Sequence, residues 1–509
     1  MFTNAAVLVF ITKFLLNRLS AEEFGMLRYA ITMQGVLMFL DLGLGVALNR
    51  FVSRHIAIHD THGLNAAISF ASALFLGLGA AAGLAMVGLG LILPSLITGA
   101  SDDLYHKGLI LMACIGGALA LRFWSYAPKG VLFGIQQHFV ANIVLTVSAM
   151  VRAAAITLFF LVMPSSGLPA VGFCFVGASA LCTVLMWTSA KWRLPEMRAS
   201  IKLVNKNVAK EMLGFSLWVT LLGITTVLIS GAPTFFAGKL YGAESVAFFS
   251  LSLLVVTQLE QISGGFALAL IPVAGKHKAM QNTGVLQELM VRGTKFCAVI
   301  CFPLGIVLVI FAYPLFEWFK EGFGWTWILL AIMILPSLMR ATQRMSSAVL
   351  MGAGTVKGLA LGQSIVVLLI AVLSLLFAVY FDMKLYGIAL GAAIPILAYD
   401  SVYKPAYASR QIGLGWWRYM AASYGRVLLA TAPAAAVAFA LLYYAYPKGL
   451  LDLIFEMALC VMILAVFYFL FVLKKTDRLT VLNLFRSARA SDNLTLGGAG
   501  IKTEPPLSE

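Results

Sequence analysis

The sequence predicts an all-α polytopic membrane protein with about 14 transmembrane helices. We expect two parallel six-helix repeats around a central cavity, followed by two extra C-terminal helices. Of the 509 residues, 61% are hydrophobic and 11% are charged, and the mean hydropathy is +0.94. Apolar runs of about 20 residues recur along the chain, which is the length that a membrane-crossing helix needs. Because these runs are too long for barrel strands, helices are the spanning structure that fits.

The apolar runs follow one another in chain order, and polar or charged loops separate them. We predict spans at 2–17, 27–48, 64–94, 104–134, 140–162, 168–190, 213–237, 244–273, 295–316, 325–351, 358–380, 385–408, 418–445 and 449–473. The first run is short, so we expect the first helix of the natural protein to begin before Met1. The predicted units are an N-terminal six-helix lobe (1–190), a basic linker (191–212), a C-terminal six-helix lobe (213–408), two further helices (409–474) and a polar, largely disordered cytoplasmic tail (475–509).

Basic residues concentrate in alternate loops. They occupy the loops near Arg54, Lys191, Lys276 and Arg410 and the segment after Lys474, whereas the intervening loops are short and acidic or neutral. The excess of Lys and Arg on one side predicts that both termini lie in the cytoplasm. The net charge of +15 therefore reflects cytoplasmic loops, and we expect no nucleic-acid partner.

The linker that joins the two lobes has a pattern of its own. Basic residues recur every four positions at Arg198, Lys202, Lys206 and Lys210, and apolar residues mark another face at Met197, Ile201, Val204, Val208 and Met212. This pattern is typical of a helix that lies on the inner leaflet and binds anionic membrane lipids. An ordinary solvated connector is the alternative.

Short similar stretches in the two halves of the sequence indicate an internal repeat. "AEEFG" and "LDLGLGVAL" match "AESVA" and "ISGGFALAL" at an offset of 222, and "RFWSYAPKGVLFG" matches "RATQRMSSAVLMG" at an offset of 218. Six predicted spans separate the two copies. Because six is even, both copies enter the membrane in the same direction, which predicts parallel repeats about an axis along the bilayer normal.

Several cations lie deep within the predicted spans. Arg122 precedes Gly134, at the cytoplasmic end of its helix, by twelve residues, or roughly 18 Å. Arg340 lies at the same depth in the second copy of the repeat. Arg152 also lies deep, in the predicted span 140–162. Tyr126 and Lys129 share the helix face of Arg122, and Arg344 shares that of Arg340.

These cations outnumber the acids predicted beside them. The deep cations are Arg122, Lys129, Arg152, Arg340 and Arg344. The acids at similar depth are Asp41 and Glu260. A further acid, Asp400, is placed to pair with Lys404. A charge at mid-membrane costs at least ~2.5–3.5 kcal/mol and normally faces an interior or a wet cavity. The surplus predicts that an anion binds there, and a phosphate suits the guanidinium group best. Snorkelling or fixed ion pairs between helices are the alternative, and Glu260 is equally a structural partner or a proton or cation site.

The sequence predicts no metal site and no cofactor. All six cysteines fall within apolar runs without zinc-type spacing. His55, His59, Asp60 and His62 lie close together in a loop, but we expect them to bind no metal.

Three stretches carry a resemblance to a known family. "LLNRLSAEEFGMLRYA" (15–30), "FLDLGLGVALNRFVSR" (39–54) and "VLFGIQQHFVANIV" (131–144) resemble polysaccharide-biosynthesis flippases. These form the O-antigen-type branch of the multidrug/oligosaccharidyl-lipid/polysaccharide exporter superfamily. Ser20 stands where that family usually has a glycine.

The resemblance implies a two-lobed bundle around a cationic cavity that opens alternately to each leaflet. Such proteins move undecaprenyl-pyrophosphate-linked oligosaccharides across the bacterial inner membrane, from the cytoplasmic to the periplasmic leaflet. Glycan polymerase or ligase machinery would then be a partner. Asp41 and Arg50 match the family's helix-two acid and arginine, and with Glu260 they are candidates for gating or ion coupling.

Two other functions stay open. A multidrug or organic-cation antiporter of the same superfamily would need cavity acids, and Asp41 and Glu260 are few against five cations. A membrane-embedded glycan polymerase or ligase would need a substantial outward loop and a catalytic carboxylate pair, and the sequence offers neither. We therefore predict a transporter and not an enzyme.

Overall fold

A computed structural model describes residues 2–41, 44–93, 97, 101–163, 167–200, 203–204, 217–444, 447 and 449–472. Over these residues the fold consists of helices without a strand. The helices are α1 (Phe2–Arg18), α2 (Ala21–Leu37), α3 (Leu44–Ala57), α4 (Thr61–Leu91), α5 (Asp102–Gly134), α6 (His138–Val162), α7 (Gly167–Arg193), α8 (Leu217–Ala279), α9 (Thr283–Ile310), α10 (Ala312–Phe319), α11 (Trp327–Gly352), α12 (Lys357–Leu375), α13 (Lys384–Ala398), α14 (Lys404–Gln411), α15 (Trp416–Tyr444) and α16 (Leu450–Phe471).

The predicted class, an all-α multi-pass membrane protein, is confirmed. Within the described residues, 11 helices are long and apolar enough to cross a membrane. Helices α1, α2 and α3 have 17, 17 and 14 residues and fall short of the 18 required, and the bent α8 counts once. The number of fourteen spans therefore stays a prediction.

Helix α8 contains both the seventh and the eighth predicted spans. Gly242 interrupts it with a φ of 82°, a left-handed conformation that glycine adopts without steric cost. A Cβ placed on Gly238 would lie 3.1 Å from Val246 Cγ2, whereas eight residues of continuous helix span about 12 Å. The chain therefore reverses at Gly242, and α8 has a first arm before this glycine and a second arm after it.

The second predicted span, 27–48, is not one continuous helix. Helix α2 ends at Leu37, a 3₁₀ turn covers Met38–Asp41, and α3 begins at Leu44. The Asp41 carboxylate accepts a hydrogen bond from the Gly45 backbone N–H at 3.3 Å. The break allows this carboxylate to serve one of the unpaired N–H groups at the start of α3.

Ser20, which stands where the related family usually has a glycine, caps the start of α2. Its hydroxyl accepts a hydrogen bond from the Glu23 N–H, and the Glu23 carboxylate accepts one from the Ser20 N–H, which forms a complete capping box. A few residues later a Cβ on Gly25 would collide with the Ala243 carbonyl oxygen. The turn from α1 into α2 therefore packs directly against the reversal in α8.

Equivalent positions of the two sequence copies make equivalent contacts. A Cβ on Gly134 would meet the carbonyl oxygen of Asn49, and one on Gly352 would meet the carbonyl oxygen of Ile271. Asn49 and Ile271 are 222 residues apart, and the two glycines are 218 apart. Parallel repeats would produce this correspondence, and the repeat itself stays an interpretation.

The hydrophobic core is continuous at one end of the molecule and divided at the other. At the ends of the helices away from the basic loops, which we call the outer ends, one buried cluster joins Leu16 and Phe24 to Phe249 and Phe316. At the basic-loop ends the core separates into a cluster of N-terminal residues from Leu44 to Met197 and a cluster of C-terminal residues from Ala274 to Tyr419. The lobes are thus closed together at the outer ends.

The predicted amphipathic linker helix and the tail lie largely outside the described residues. The described beginning of the linker is attached to α4, since the Arg198 N–H donates to Asn65 Oδ1 at 2.7 Å and Asn65 Nδ2 donates to the Glu196 carbonyl oxygen at 3.1 Å.

His55 and Asp60, considered above for a metal, are bonded to each other at 2.9 Å. Asp60 also caps α4 through the Gly63 N–H, and this bond holds the pKa of Asp60 below its usual value.

Candidate substrate-binding site

Three of the predicted deep cations come together in the N-terminal lobe. Arg122 and Lys129 share one face of α5, and Arg152 approaches from α6. Arg122 lies close enough to repel both Lys129 and Arg152 electrostatically. Arg122 is exposed and the other two are partly exposed. We call Arg122, Lys129 and Arg152 the N-lobe cation cluster.

Aromatic rings hold two members of the N-lobe cation cluster. The Arg152 guanidinium lies over the Phe175 ring, 4.6 Å from its centroid. The Lys129 ammonium lies 5.6 Å from the Tyr126 centroid and 5.5 Å from that of Phe133. Cation–π contacts at these distances stabilise a cation without neutralising it. The rings therefore position the charges and leave them available to an anion.

Asp41 is the carboxylate near this cluster in the described chain. It attracts Lys129, and its Oδ1 accepts a hydrogen bond from the Gly45 N–H. In the part of the chain that the structure describes, Arg122, Lys129 and Arg152 form no ion pair within 4 Å. Three cations against one carboxylate leave the cluster net positive. The side chain of Arg50, the arginine matched to the family, lies outside the described residues.

In the C-terminal lobe, two of the predicted deep cations have carboxylate partners. The sequence singled out Arg340 and Arg344 as surplus cations equivalent to Arg122, with ion pairs as the alternative. Arg340 Nη1 lies 3.8 Å from Glu260 Oε1, and its Nε lies 3.7 Å from Asp400 Oδ2. Arg344 Nη2 lies 3.6 Å from Glu260 Oε2. The alternative of fixed ion pairs between helices therefore describes this lobe better.

The backbone around Asp400 explains why the sequence missed its contact with Arg340. Asp400 bonds to Lys404, as predicted. Both lie where α13 continues into α14 through a π-helical turn, Tyr399–Tyr403. One extra residue per turn rotates the following side chains relative to a regular α-helix, so that helical periodicity alone does not give the direction of Asp400. Helices α8, α11 and α14 and the π-helical turn Tyr399–Tyr403 share this ion network.

Helix α15, which the sequence placed outside the repeats, contributes to the same region. The Tyr424 hydroxyl lies 2.6 Å from that of Thr342, and Gln343 Nε2 donates to it at 3.0 Å. The Tyr419 hydroxyl lies 2.8 Å from that of Thr294 and donates to Gln343 Oε1 at 3.2 Å. Polar groups with satisfied partners make a rigid wall beside the ion network. No charge or periodic pattern in the sequence identified these tyrosines.

The fold is that of transporters of the MOP superfamily. An inward-facing MATE family transporter of this superfamily aligns with 81% of this chain and 94% of its own length, at a TM-score of 0.69 and 15% identity. A MOP superfamily transporter from Pyrococcus furiosus, described as having a binding pocket of reverse polarity, aligns over 81% and 93% at a TM-score of 0.62 and 16% identity. At such identities the similarity shows the fold alone.

The family follows from the sequence comparison. The profile of the polysaccharide biosynthesis protein family matches residues 15–328, and the chain belongs to this family. It is also similar to a putative O-antigen transporter of Shigella flexneri, with 23% identity over 316 residues, or 61% of this chain and 72% of the relative. The resemblance stated from three short stretches is thereby confirmed over a much longer part of the chain.

Proposed function

We propose that this protein flips an undecaprenyl-pyrophosphate-linked oligosaccharide from the cytoplasmic to the periplasmic leaflet of the bacterial inner membrane for surface polysaccharide synthesis. The observation that carries the proposal is the unpaired charge of the N-lobe cation cluster. A pyrophosphate supplies the negative charge that the described protein lacks there. Membership of the polysaccharide biosynthesis family and similarity to a putative O-antigen transporter support the same substrate class.

In the proposed cycle the pyrophosphate binds the N-lobe cation cluster while the polyprenyl chain stays in lipid. Arg122 and Arg152 offer guanidinium groups that bond two phosphate oxygens at once, and Lys129 adds a point charge. The core is divided between the lobes at the basic-loop ends and continuous at the outer ends. This arrangement fits a state that accepts substrate from the side of the basic loops, which we take to be the cytoplasm, where both termini would lie.

An organic-cation antiporter is the less suitable function for this site. Such a transporter binds its substrate through free carboxylates in the cavity. Here Glu260 and Asp400 already contact Arg340, and Arg344 occupies the second oxygen of Glu260. Asp41 is the one remaining acid of those the sequence singled out, and it lies beside three cations. A glycan polymerase or ligase has no more support, because none of the acids that the sequence singled out forms a free carboxylate pair among the described residues.

The test replaces the guanidinium groups that would hold the pyrophosphate. We expect Arg122→Gln and Arg152→Gln each to slow flipping of a polyprenyl-pyrophosphoryl oligosaccharide in proteoliposomes by about tenfold or more, because a hydrogen bond to a charged group contributes about 1.5–3 kcal/mol. The measurement is the fraction of glycan that a glycosidase outside the vesicles can reach over time.

The matched control is Arg193→Gln, which removes a guanidinium from the exposed end of α7 and should leave the rate unchanged. Melting temperatures of all three variants separate transport defects from unfolding. Normal flipping by both Arg122→Gln and Arg152→Gln would refute the proposal.

A further inference from the structure

A cavity with an arginine in its lining lies apart from the N-lobe cation cluster. It has a volume of about 290 Å³, and α2 and both arms of α8 line it. Helix α2 contributes Arg28 and Thr32, the first arm contributes Thr226 and Ser230, and the second arm contributes Ser250 and Thr257. Because α2 and α8 belong to different lobes, we call this the interlobe cavity.

Within the described residues, the side chain of Arg28 lacks a charged partner. Its Nε is buried without a hydrogen-bond partner, and within the described chain its guanidinium forms no ion pair. It follows the helix cap Ser20 by eight residues, which places it roughly 12 Å along α2 from the outer end. A buried arginine that lacks a carboxylate is costly unless a ligand supplies the negative charge.

The hydroxyl groups around Arg28 are arranged as acceptors. Thr32 donates to the Arg28 carbonyl oxygen at 2.9 Å, Ser230 to that of Thr226 at 3.1 Å, and Thr257 to that of Leu254 at 3.0 Å. Ser250 donates to the Ala247 carbonyl oxygen at 3.0 Å. Each of these four hydroxyl protons is thus used within its own helix, and the hydroxyl oxygen can still accept a hydrogen bond.

One guanidinium beside several acceptor oxygens is complementary to a particular ligand chemistry. The guanidinium binds phosphate oxygens, and the hydroxyl oxygens accept hydrogen bonds from the hydroxyl groups of a sugar. A volume of about 290 Å³ is near the lower limit of small-molecule sites, which is about 300 Å³. The cavity therefore suits one phosphate with its attached sugar.

We propose that the interlobe cavity binds the glycosyl-phosphate part of the transported headgroup, at a site separate from the N-lobe cation cluster. This inference rests on the proposed function, since it assigns the junction between phosphate and first sugar to Arg28 and its hydroxyl neighbours. Both lobes form the walls of the cavity, so that its shape depends on their relative position. A headgroup bound there contacts both lobes at once.

The experiment uses the purified full chain in detergent and three soluble probes: glucose 1-phosphate, inorganic phosphate and glucose. Calorimetric titration should show glucose 1-phosphate binding more tightly than either inorganic phosphate or glucose. We expect Arg28→Gln to weaken this binding by about tenfold or more. Arg18→Gln, a similar change at an exposed residue of α1, should have no effect.

A second variant isolates the sugar contact and avoids any folding defect that the loss of Arg28 causes. Thr257→Val keeps the side-chain volume but removes one acceptor oxygen. It should weaken glucose 1-phosphate binding severalfold and leave inorganic phosphate binding unchanged. Unaltered glucose 1-phosphate binding in both Arg28→Gln and Thr257→Val would overturn the inference.

Flipping assays separate this inference from the proposed function. Slow flipping by both Arg28→Gln and Arg122→Gln supports two headgroup sites. Slow flipping by Arg122→Gln beside normal flipping and normal probe binding by Arg28→Gln overturns the interlobe site alone. Normal flipping by Arg122→Gln and Arg152→Gln refutes the proposed function whatever Arg28→Gln does.

Discussion

Individual charges in this protein differ mainly in whether the chain supplies their partner. Arg340 is 17% exposed and lies between two carboxylates, whereas Arg122 lies among cations and aromatic rings. Breaking a buried ion pair by removing one partner costs about 3–5 kcal/mol, because the other charge is left buried and unpaired. Loss of one member of the C-lobe network should therefore destabilise the fold, whereas the proposed function gives the N-lobe cation cluster an anion from the substrate.

Asp400 provides the test of this distinction. We expect Asp400→Asn to lower the free energy of unfolding by about 3 kcal/mol, since it leaves Lys404 and Arg340 without an anionic partner on that side. Thermal unfolding of the purified protein in detergent measures the effect. Asp452→Asn, the same change at an exposed residue of α16, should change the melting temperature little.

The double variant Asp400→Asn/Lys404→Met checks the cause. Removal of both charges should recover a large part of the lost stability, because no unpaired ammonium remains buried. If the double variant is as unstable as the sum of the two single variants, the ion pair between Asp400 and Lys404 is not what stabilises this site.

Among the helices, the contact between α2 and α8 is the one that joins the lobes most closely. Gly25 allows it, because the backbone of α2 approaches Ala243 more closely than any side chain would permit. The Ser20 and Glu23 capping box fixes where α2 begins, and Gly242 fixes where α8 reverses. These local features determine how the walls of the interlobe cavity meet.

Gly25→Ala tests this contact. The added methyl group would collide with the Ala243 carbonyl oxygen, and overpacking of this kind costs about 1–3 kcal/mol. We expect a lower melting temperature and slower flipping. Gly77→Ala in α4 is the matched control, since a Cβ there meets nothing within 4 Å; equal behaviour of the two variants would contradict the role of Gly25.

At the scale of the whole molecule, the N-terminal and C-terminal halves of the chain pack together at the outer ends. Lys13 contributes to the closure, because its ammonium donates to the Trp318 carbonyl oxygen at 2.7 Å and lies 3.6 Å from the centroid of the Trp318 ring. Lys13 belongs to α1 and Trp318 to α10, which are more than 300 residues apart in the chain. In the proposed cycle this contact would break when the outer side opens.

Cys182 offers a native reporter of that opening. It is partly exposed and acts electrostatically on both Lys129 and Arg152, so it lies beside the N-lobe cation cluster. The experiment replaces the other cysteines by alanine. It then measures how fast an impermeant maleimide labels Cys182 from each side of oriented membranes. We expect the wild-type background to react from the side of the basic loops.

Lys13→Met should increase labelling of Cys182 from the outer side, because it removes both contacts with Trp318. Lys13→Arg keeps a charged donor and a cation–π partner and serves as the control. Equal labelling patterns in Lys13→Met and the unchanged background would show that this contact does not hold the outer ends closed.

Sequence alone was sufficient for the class of protein. The apolar runs identify membrane helices because insertion into lipid depends on local composition. The bias of basic loops predicts orientation for a similarly local reason. The resemblance of 15–30 and 39–54 to a family of flippases needed no structure, and the family comparison confirms it.

Tertiary structure decided which of those charges have partners. Arg340 meets Asp400 across 60 residues of sequence, through a π-helical turn that periodicity does not reveal. No pattern in the sequence singled out Arg28. The lack of a hydrogen-bond partner for its Nε is seen only where α2 packs against both arms of α8. The reason is physical: composition fixes whether a segment enters the membrane, but the partner of a side chain depends on the directions of distant helices in the packed bundle.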